Sequence, residues 1–169
     1  QHKLMFDIEM PLAGVLAEME ISGFRIDTEG LGHYSDMLGK LESEAQERIF
    51  VFAGCEFNVN SPKQLSEVLF EKLMIPAPGK KTKTGYSTNA EVLEKRRPYH
   101  PISDEILEYR KVANLKSTYA DGLRTAADPD GRVRTTFTQT GPATGRLSST
   151  EPNLQNIPIR TELGRELRH

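Results

Sequence analysis

Residues 27–54, DTEGLGHYSDMLGKLESEAQERIFVFAG, decide what kind of fold this chain adopts. Leu31, Tyr34, Leu38, Leu41, Ala45, Ile49 and Phe52 recur at spacings of three and four. That spacing predicts a narrow apolar seam on one long helix. Asp27-Thr28 supplies a start signal and Gly54 a stop. Asp36, Glu42, Glu44 and Glu47 fall on the opposite face, so the helix is expected to pack along one edge only.

Working outward toward the N-terminus, Leu12, Val15, Leu16 and Met19 follow the i, i+3, i+4, i+7 pattern, predicting an amphipathic helix from Glu9 to Ser22. Gly23 is its expected C-terminal stop, and Phe24-Arg25-Ile26 a short extended step. In the other direction, Ser61-Pro62-Lys63-Gln64 combines an N-cap serine, proline at the first helical position and a capping-box glutamine. Leu65, Val68, Leu69 and Leu73 supply that helix's buried stripe, and Ile75-Pro76-Ala77-Pro78-Gly79 ends it. Thr88-Asn89-Ala90-Glu91 predicts a second capping box and a short helix ending before Pro98. Pro101 opens the last long helix, with Ile102, Ile106, Tyr109 and Ala113 facing inward. After the turn signal Asp128-Pro129-Asp130-Gly131, Arg132 to Gln139 alternates as a strand would. From Gly141 onward no period remains, and the Gly, Pro, Ser, Thr and Asn content predicts loop. The expected class is mainly α (α+β), with long antiparallel helices and a small antiparallel β element near Arg132–Gln139.

Composition narrows the function classes. At 169 residues with 37% hydrophobic content and no Trp, a lean core is expected, since a chain this size buries about two-thirds of its unfolded surface. Lean packing with many charges points to a subdomain that packs on something else. Cys55 stands alone, excluding an internal disulfide and fitting either a silent buried thiol, the favoured reading, or a reducing compartment. No apolar run approaches the ~20 residues of a membrane span. Gln1-His2-Lys3-Leu4 has no signal-peptide pattern, the missing initial Met predicts an excised piece, and the expected setting is cytoplasmic. Residues 1–60 hold 4 basic and 11 acidic residues, the remainder 18 and 13. That division predicts that the second part faces a polyanion.

Catalytic arrangements are scarce. His2, His33, His100 and His169 lack metal-ligand spacing and a nucleophile partner. Asp128 and Asp130 read as a hairpin turn sooner than a cation site. Gly141-Pro142-Ala143-Thr144-Gly145-Arg146 is not a phosphate loop, because its glycine spacing is one residue short, Arg replaces Lys, and Pro142 removes an amide donor. Two stretches point instead to nucleic acid. Lys80, Lys81 and Lys83, interleaved with threonines and flanked by glycines, suit a phosphate backbone; the competing reading is a solvated loop tip. Between Gly145 and Pro158, Arg146, Asn153, Gln155 and Asn156 offer donors for the minor-groove acceptors purine N3 and pyrimidine O2, which persist across base pairs. The competing reading there is a polar loop capping a sheet.

The string from Ala143 through Arg146-Leu147-Ser148-Ser149 and Pro152-Asn153-Leu154-Gln155-Asn156-Ile157-Pro158 to Arg160 resembles the first sequence motif of family A DNA polymerases of the bacterial polymerase I type. The likeness extends, in order, over Glu9–Gly23, Asn58–Lys72, Lys80–Leu93 and Ile106–Asp121. It implies a helix at the base of the thumb over 1–26, a thumb over 27–124 and the start of the palm over 125–169. By the same resemblance, the Lys-Thr loop and the Asn60-Ser61 helix start lie along the minor-groove side of the duplex. Arg110, Lys116 and Tyr119 lie near the primer and template backbone, and Arg146 at the primer-terminal pair. The resemblance also implies that Asn153, Gln155 and Asn156 touch the template side or its backbone. Two departures are Asn114, where the family commonly has Lys, and Gly141-Pro142, which replaces a β-branched pair. The family's metal-binding carboxylates are expected beyond His169, so the chain itself is expected to hold no metal and no catalytic residue. Mg²⁺ is then a cofactor of the intact polymerase, and the partners are primer–template DNA and the rest of the polymerase. A stand-alone duplex-binding module and a purely structural helical bundle are the rival readings.

Overall fold

A computed structural model describes residues 2–83, 85–140, 145–158 and 161–167. Gly141-Pro142 and both ends of the quoted motif, Ala143-Thr144 and Ile159-Arg160, lie outside the described residues, as does His169. In order, the elements are α1 (His2–Leu4), a wide π-helical turn (Met5–Glu9), α2 (Met10–Ser22), β1 (Phe24–Arg25) and α3 (Thr28–Ala53). Next come α4 (Pro62–Ser66), continued by π-helical Glu67–Lys72, then α5 (Ala90–Glu94) and α6 (Ile102–Asn114). Helix α6 runs through π-helical Leu115–Asp121 into α7 (Gly122–Ala126). Finally come β2 (Arg132–Val133), β3 (Thr136–Thr138), β4 (Ser148–Thr150) and α8 (Glu162–Glu166). The class is mainly helical with two small antiparallel sheets, as expected. Residues 36–114 form one compact unit, and residues 1–35 with 115–169 another.

Within the 36–114 unit, Ala45, Ile49 and Ala53 of α3 pack with Leu65, Val68, Leu69, Phe70, Leu93, Ile102, Ile106 and Tyr109 in one core. Arg48 meets Glu105 at 2.7 Å, and Phe52 meets His100 edge-on at 5.9 Å. As the first partner's number rises, the second's falls, so α3 and α6 run antiparallel. The Ser61 N-cap forms as expected, its hydroxyl accepting from Gln64 N at 3.4 Å. The other half of that capping box does not, because Gln64 Oε1 accepts from Asn58 N at 2.7 Å. Nor does Thr88 cap α5. Asn89 does, through Oδ1 to Val92 N at 2.9 Å, while Glu91 pairs with Lys95.

In the other unit, among the described residues, Leu31, Leu123 and Val133 form a core cluster, joined by partly buried Ile26, Leu154 and Leu167. The helix predicted from Glu9 to Ser22 is present as Met10–Ser22, but its apolar stripe is not buried. Leu16 is, whereas Val15 is 54% and Met19 41% exposed. Helix α2 is apolar on nearly every side, and Ile21 is 74% exposed as well. It does stop where expected, Gly23 N donating to Met19 O at 2.9 Å with φ +61°. A Cβ there would lie 2.9 Å from Arg134 Cγ and 3.0 Å from Val133 O, so only glycine lets the strands close on the helix end.

The expected single strand over 132–139 is two. Arg132 and Val133 pair with Arg25 and Phe24, and Thr136–Thr138 pairs with Ser148–Thr150. At Arg134-Thr135 the chain changes partners, with the Arg134 side chain turned to Asp128, Asp130 and Ile21 O. The tail expected to be loop therefore contributes β4, and α8 after it. Sequence pattern missed β4 because its pairing, not its periodicity, makes it a strand.

Candidate nucleic-acid interface

The residues singled out from sequence divide between the two units. In the unit of residues 1–35 and 115–169, the tail folds as a braced loop. Asn153 Oδ1 accepts from Gln155 N at 3.0 Å and Asn156 N at 3.2 Å, an Asx-type turn. Gln155 Nε2 donates to Leu147 O at 2.7 Å, tying the loop beside Arg146. Tyr119 OH donates to Asn156 O at 2.5 Å. The structure thus brings Tyr119, Asn153, Gln155 and Asn156 together, with Arg146 one residue from the Gln155 anchor. Arg146, Asn153, Gln155 and Asn156 are exposed, and Tyr119 is buried. The turn consumes the Asn153 carbonyl oxygen and leaves its N–H donors on the exposed surface.

Lys116 and Tyr119 both come from the π-helical stretch Leu115–Asp121, a widening that recurs at functional sites. Lys116 Nζ meets Asp121 Oδ2 at 2.7 Å, and the other Asp121 oxygen accepts from Ser35 at 2.6 Å. The Lys116 hydrogen bond, then that of Ser35, holds the Asp121 carboxyl below the usual carboxylate range. In this state Lys116 serves an internal network.

Within the 36–114 unit, Asn60 Nδ2 donates to Tyr109 OH at 3.0 Å. Burial of that phenol raises its pKa above the ordinary tyrosine value. Ser61 is spent on its cap. In the lysine loop, Thr82 N donates to Gly85 O at 2.9 Å and Gly85 N to Thr82 O at 3.1 Å, making a tight bridge. Lys80, Lys81 and Lys83 are all exposed. Lys81 Nζ meets Glu71 at 2.5 Å and stands 6.0 Å from the centre of the Tyr86 ring. The Glu71 hydrogen bond raises the Lys81 pKa. Arg110 donates from Nη1 to Thr88 O and from Nη2 to Thr88 Oγ1 at 3.3 Å. Burial lowers its pKa, yet a guanidinium stays charged in any protein environment. Arg110 is thus a brace between α6 and the segment after the lysine loop.

Among the described residues, no group of three or more His, Cys, Asp or Glu side chains could hold a metal ion. Asp128 and Asp130 do not fit Mg²⁺, because Arg134 meets them at 2.5 and 2.7 Å and supplies the cation they face. Among the described residues, no helix is long and apolar enough to cross a membrane. Sequence reading missed Thr135, whose buried hydroxyl lies 2.6 Å from that of Ser149 beneath the braced loop. Nothing in their spacing distinguishes these hydroxyls from others in a polar stretch.

The model of DNA polymerase family A matches residues 28–169. The chain is 52% identical over 169 residues to DNA polymerase I of Geobacillus stearothermophilus, covering 99% of this chain and 19% of that protein. It is also 52% identical over 169 residues to DNA polymerase I of Bacillus subtilis (strain 168), with the same coverage. The chain therefore spans about a fifth of the length of the curated relatives it matches. Among solved structures, it resembles the POL domain of Pol1 from M. smegmatis in complex with DNA primer-template and dNTP. That match has a TM-score of 0.88 at 45% identity, and covers 98% of this chain and 29% of that one.

Proposed function

Because the chain belongs to DNA polymerase family A, we propose that it is the part of a template-directed DNA polymerase that grips the primer–template duplex. On this reading residues 1–26 form the base helix, 27–124 the thumb and 125–169 the start of the palm. The observation that carries it is the braced loop, in which Arg146, Asn153 and Asn156 are exposed while its backbone is held internally. Donors fixed in this way suit minor-groove acceptors that A·T and G·C pairs share, so geometry can be sensed without reading sequence. Lys80 and Lys83 add contacts to the phosphate backbone, and Lys81 joins them once released from Glu71. Phosphoryl transfer needs metal ions and cationic clamps. The Mg²⁺ expected of the intact polymerase is then held by carboxylates this chain does not contribute, and the chain alone incorporates no nucleotide. A cytoplasmic, nucleoid-associated setting follows.

Fluorescence anisotropy of a labelled primer–template, titrated at several salt concentrations, tests the reading. Binding whose log affinity falls with log salt at about −0.9 per phosphate, for roughly two to five phosphates, is expected. Arg146→Ala should weaken it. Affinity indifferent to both salt and Arg146 would remove the interface from this surface.

A further inference from the structure

We propose that Thr135 and Ser149 are positioning residues for duplex binding, acting through a buried hydroxyl relay that sets the shape of the Asn153–Asn156 loop. This rests on the duplex-gripping reading of that loop.

Thr135 is 4% and Ser149 1% exposed, so water does not satisfy either hydroxyl. Thr135 Oγ1 lies 2.6 Å from Ser149 Oγ, 2.8 Å from Pro152 O and 3.0 Å from Thr150 O. Ser149 Oγ accepts from Leu154 N at 3.2 Å and lies 3.3 Å from Pro152 O. Each hydroxyl has one proton to give, and that decides the direction. Were Thr135 the donor to Ser149, its oxygen would face two carbonyls with no proton between. With Ser149 donating to Thr135, Thr135 is free to donate to Pro152 O, the nearer carbonyl. The relay then runs from Leu154 N–H to Ser149, to Thr135, to Pro152 O, and of the contacts within 3.0 Å only that of Thr135 Oγ1 with Thr150 O is left without a proton of its own.

Its reach explains its role. Two side chains anchored in or beside the β3–β4 sheet take hold of the backbone at Pro152 and Leu154, on either side of Asn153. Asn153 Oδ1 in turn receives the Gln155 and Asn156 amides, and Tyr119 takes the Asn156 carbonyl. A missing hydroxyl leaves a buried partner unsatisfied, and the loop must turn to find water. The exposed donors then leave the positions that base edges require.

The test measures primer–template affinity of the full-length protein by anisotropy, beside thermal stability. Thr135→Val keeps the volume and removes the hydroxyl; Thr135→Ser keeps the hydroxyl. Thr135→Val is expected to weaken affinity roughly tenfold, the scale of one unsatisfied buried group, with Thr135→Ser within about twofold of wild type. Thr135→Val combined with Gln155→Ala should lose no more than the worse single variant, because both act through one loop. Should Thr135→Val fail to fold, Ser149→Ala removes the relay's middle member and is read in the same way. Lowered stability with unchanged affinity overturns the proposal, as does equal loss in Val and Ser variants or strictly additive loss with Gln155→Ala. A wild-type protein that does not bind the duplex overturns the underlying reading and this inference with it. Binding weakened by Arg146→Ala but not by Thr135→Val overturns this inference alone.

Discussion

Gly85 closes the lysine loop at φ +102°, a backbone region that side chains rarely enter. A Cβ there would stand 2.5 Å from Ser66 Oγ and 2.8 Å from Ser66 Cβ. Ser66 cannot retreat, since it is buried and its oxygen accepts from Tyr86 N at 2.7 Å. Gly85→Ala should therefore cost about 2–4 kcal/mol, summing backbone strain and overpacking. Urea denaturation reads it, and a loss below about 1 kcal/mol would mean the loop relaxes. At Asp121 the effect is one of protonation. Lys116 first, then Ser35, lower its pKa in the folded chain. A carboxyl depressed by folding contributes stability above its unfolded pKa, and loses it as pH falls through the folded one. Asp121→Asn should thus be less stable than wild type at neutral pH, by under about 1 kcal/mol because Lys116 and Asp121 are both partly solvated. The gap should close as pH drops below about 4. A gap constant with pH would mean the carboxylate charge does not matter there.

Among the elements, those whose pattern is internal were legible in the sequence. The seam of α3 and the inner face of α6 place Ala45, Ile49, Ile102, Ile106 and Tyr109 in one core as their spacing implies. The turn at Asp128–Gly131 closes with Gly131 N donating to Asp128 O at 2.9 Å. What failed were features decided by a partner. Strand β4 exists because Thr136–Thr138 lies beside it, and Val15 and Met19 stay exposed because spacing cannot say whether a stripe has something to pack on. The candidate site followed the same division. Arg146, Asn153, Gln155 and Asn156 were legible as a run of donors, but their bracing through Tyr119, Thr135 and Ser149 depends on contacts distant in sequence. Helix α2 shows how such contacts hold an element. Its last carbonyls, which have no intrahelical partner, accept from Arg134 Nε at Ile21 O, 3.0 Å away, and from Arg132 Nη1 at Ser22 O and Gly23 O, 3.0 and 3.1 Å away. Cations at a helix C-terminus also oppose its negative dipole end. Arg134→Ala should speed amide exchange of Gly23 and the last turn of α2 several-fold while leaving α6 unchanged. Uniform acceleration in both helices would mean a global rather than a local loss.

Charge placement, not net charge, governs what the whole molecule offers a polyanion. The sequence divides into an acidic first third and a basic remainder, but folding does not keep that division. Residues 36–114 carry twelve basic and twelve acidic side chains and so are neutral as a unit. A neutral unit attracts a duplex only where local cations are left uncompensated. In the lysine loop, Lys80 and Lys83 are exposed, while Lys81 is held by Glu71 at 2.5 Å. A lysine already paired displaces no counterion from DNA unless it leaves its carboxylate. If the loop follows a phosphate backbone, Lys80→Ala with Lys83→Ala should reduce the magnitude of the salt slope by about 1.8, at 0.9 for each phosphate contact. Adding Lys81→Ala should change it little further. Glu71→Gln should have the opposite effect, freeing Lys81 and steepening the slope by up to about 0.9. These responses separate the two readings of the loop, since a solvated tip predicts the wild-type slope for all three variants. A slope that answers to Lys80 and Lys83 but not to Glu71 would mean Lys81 points away from the phosphates even when released.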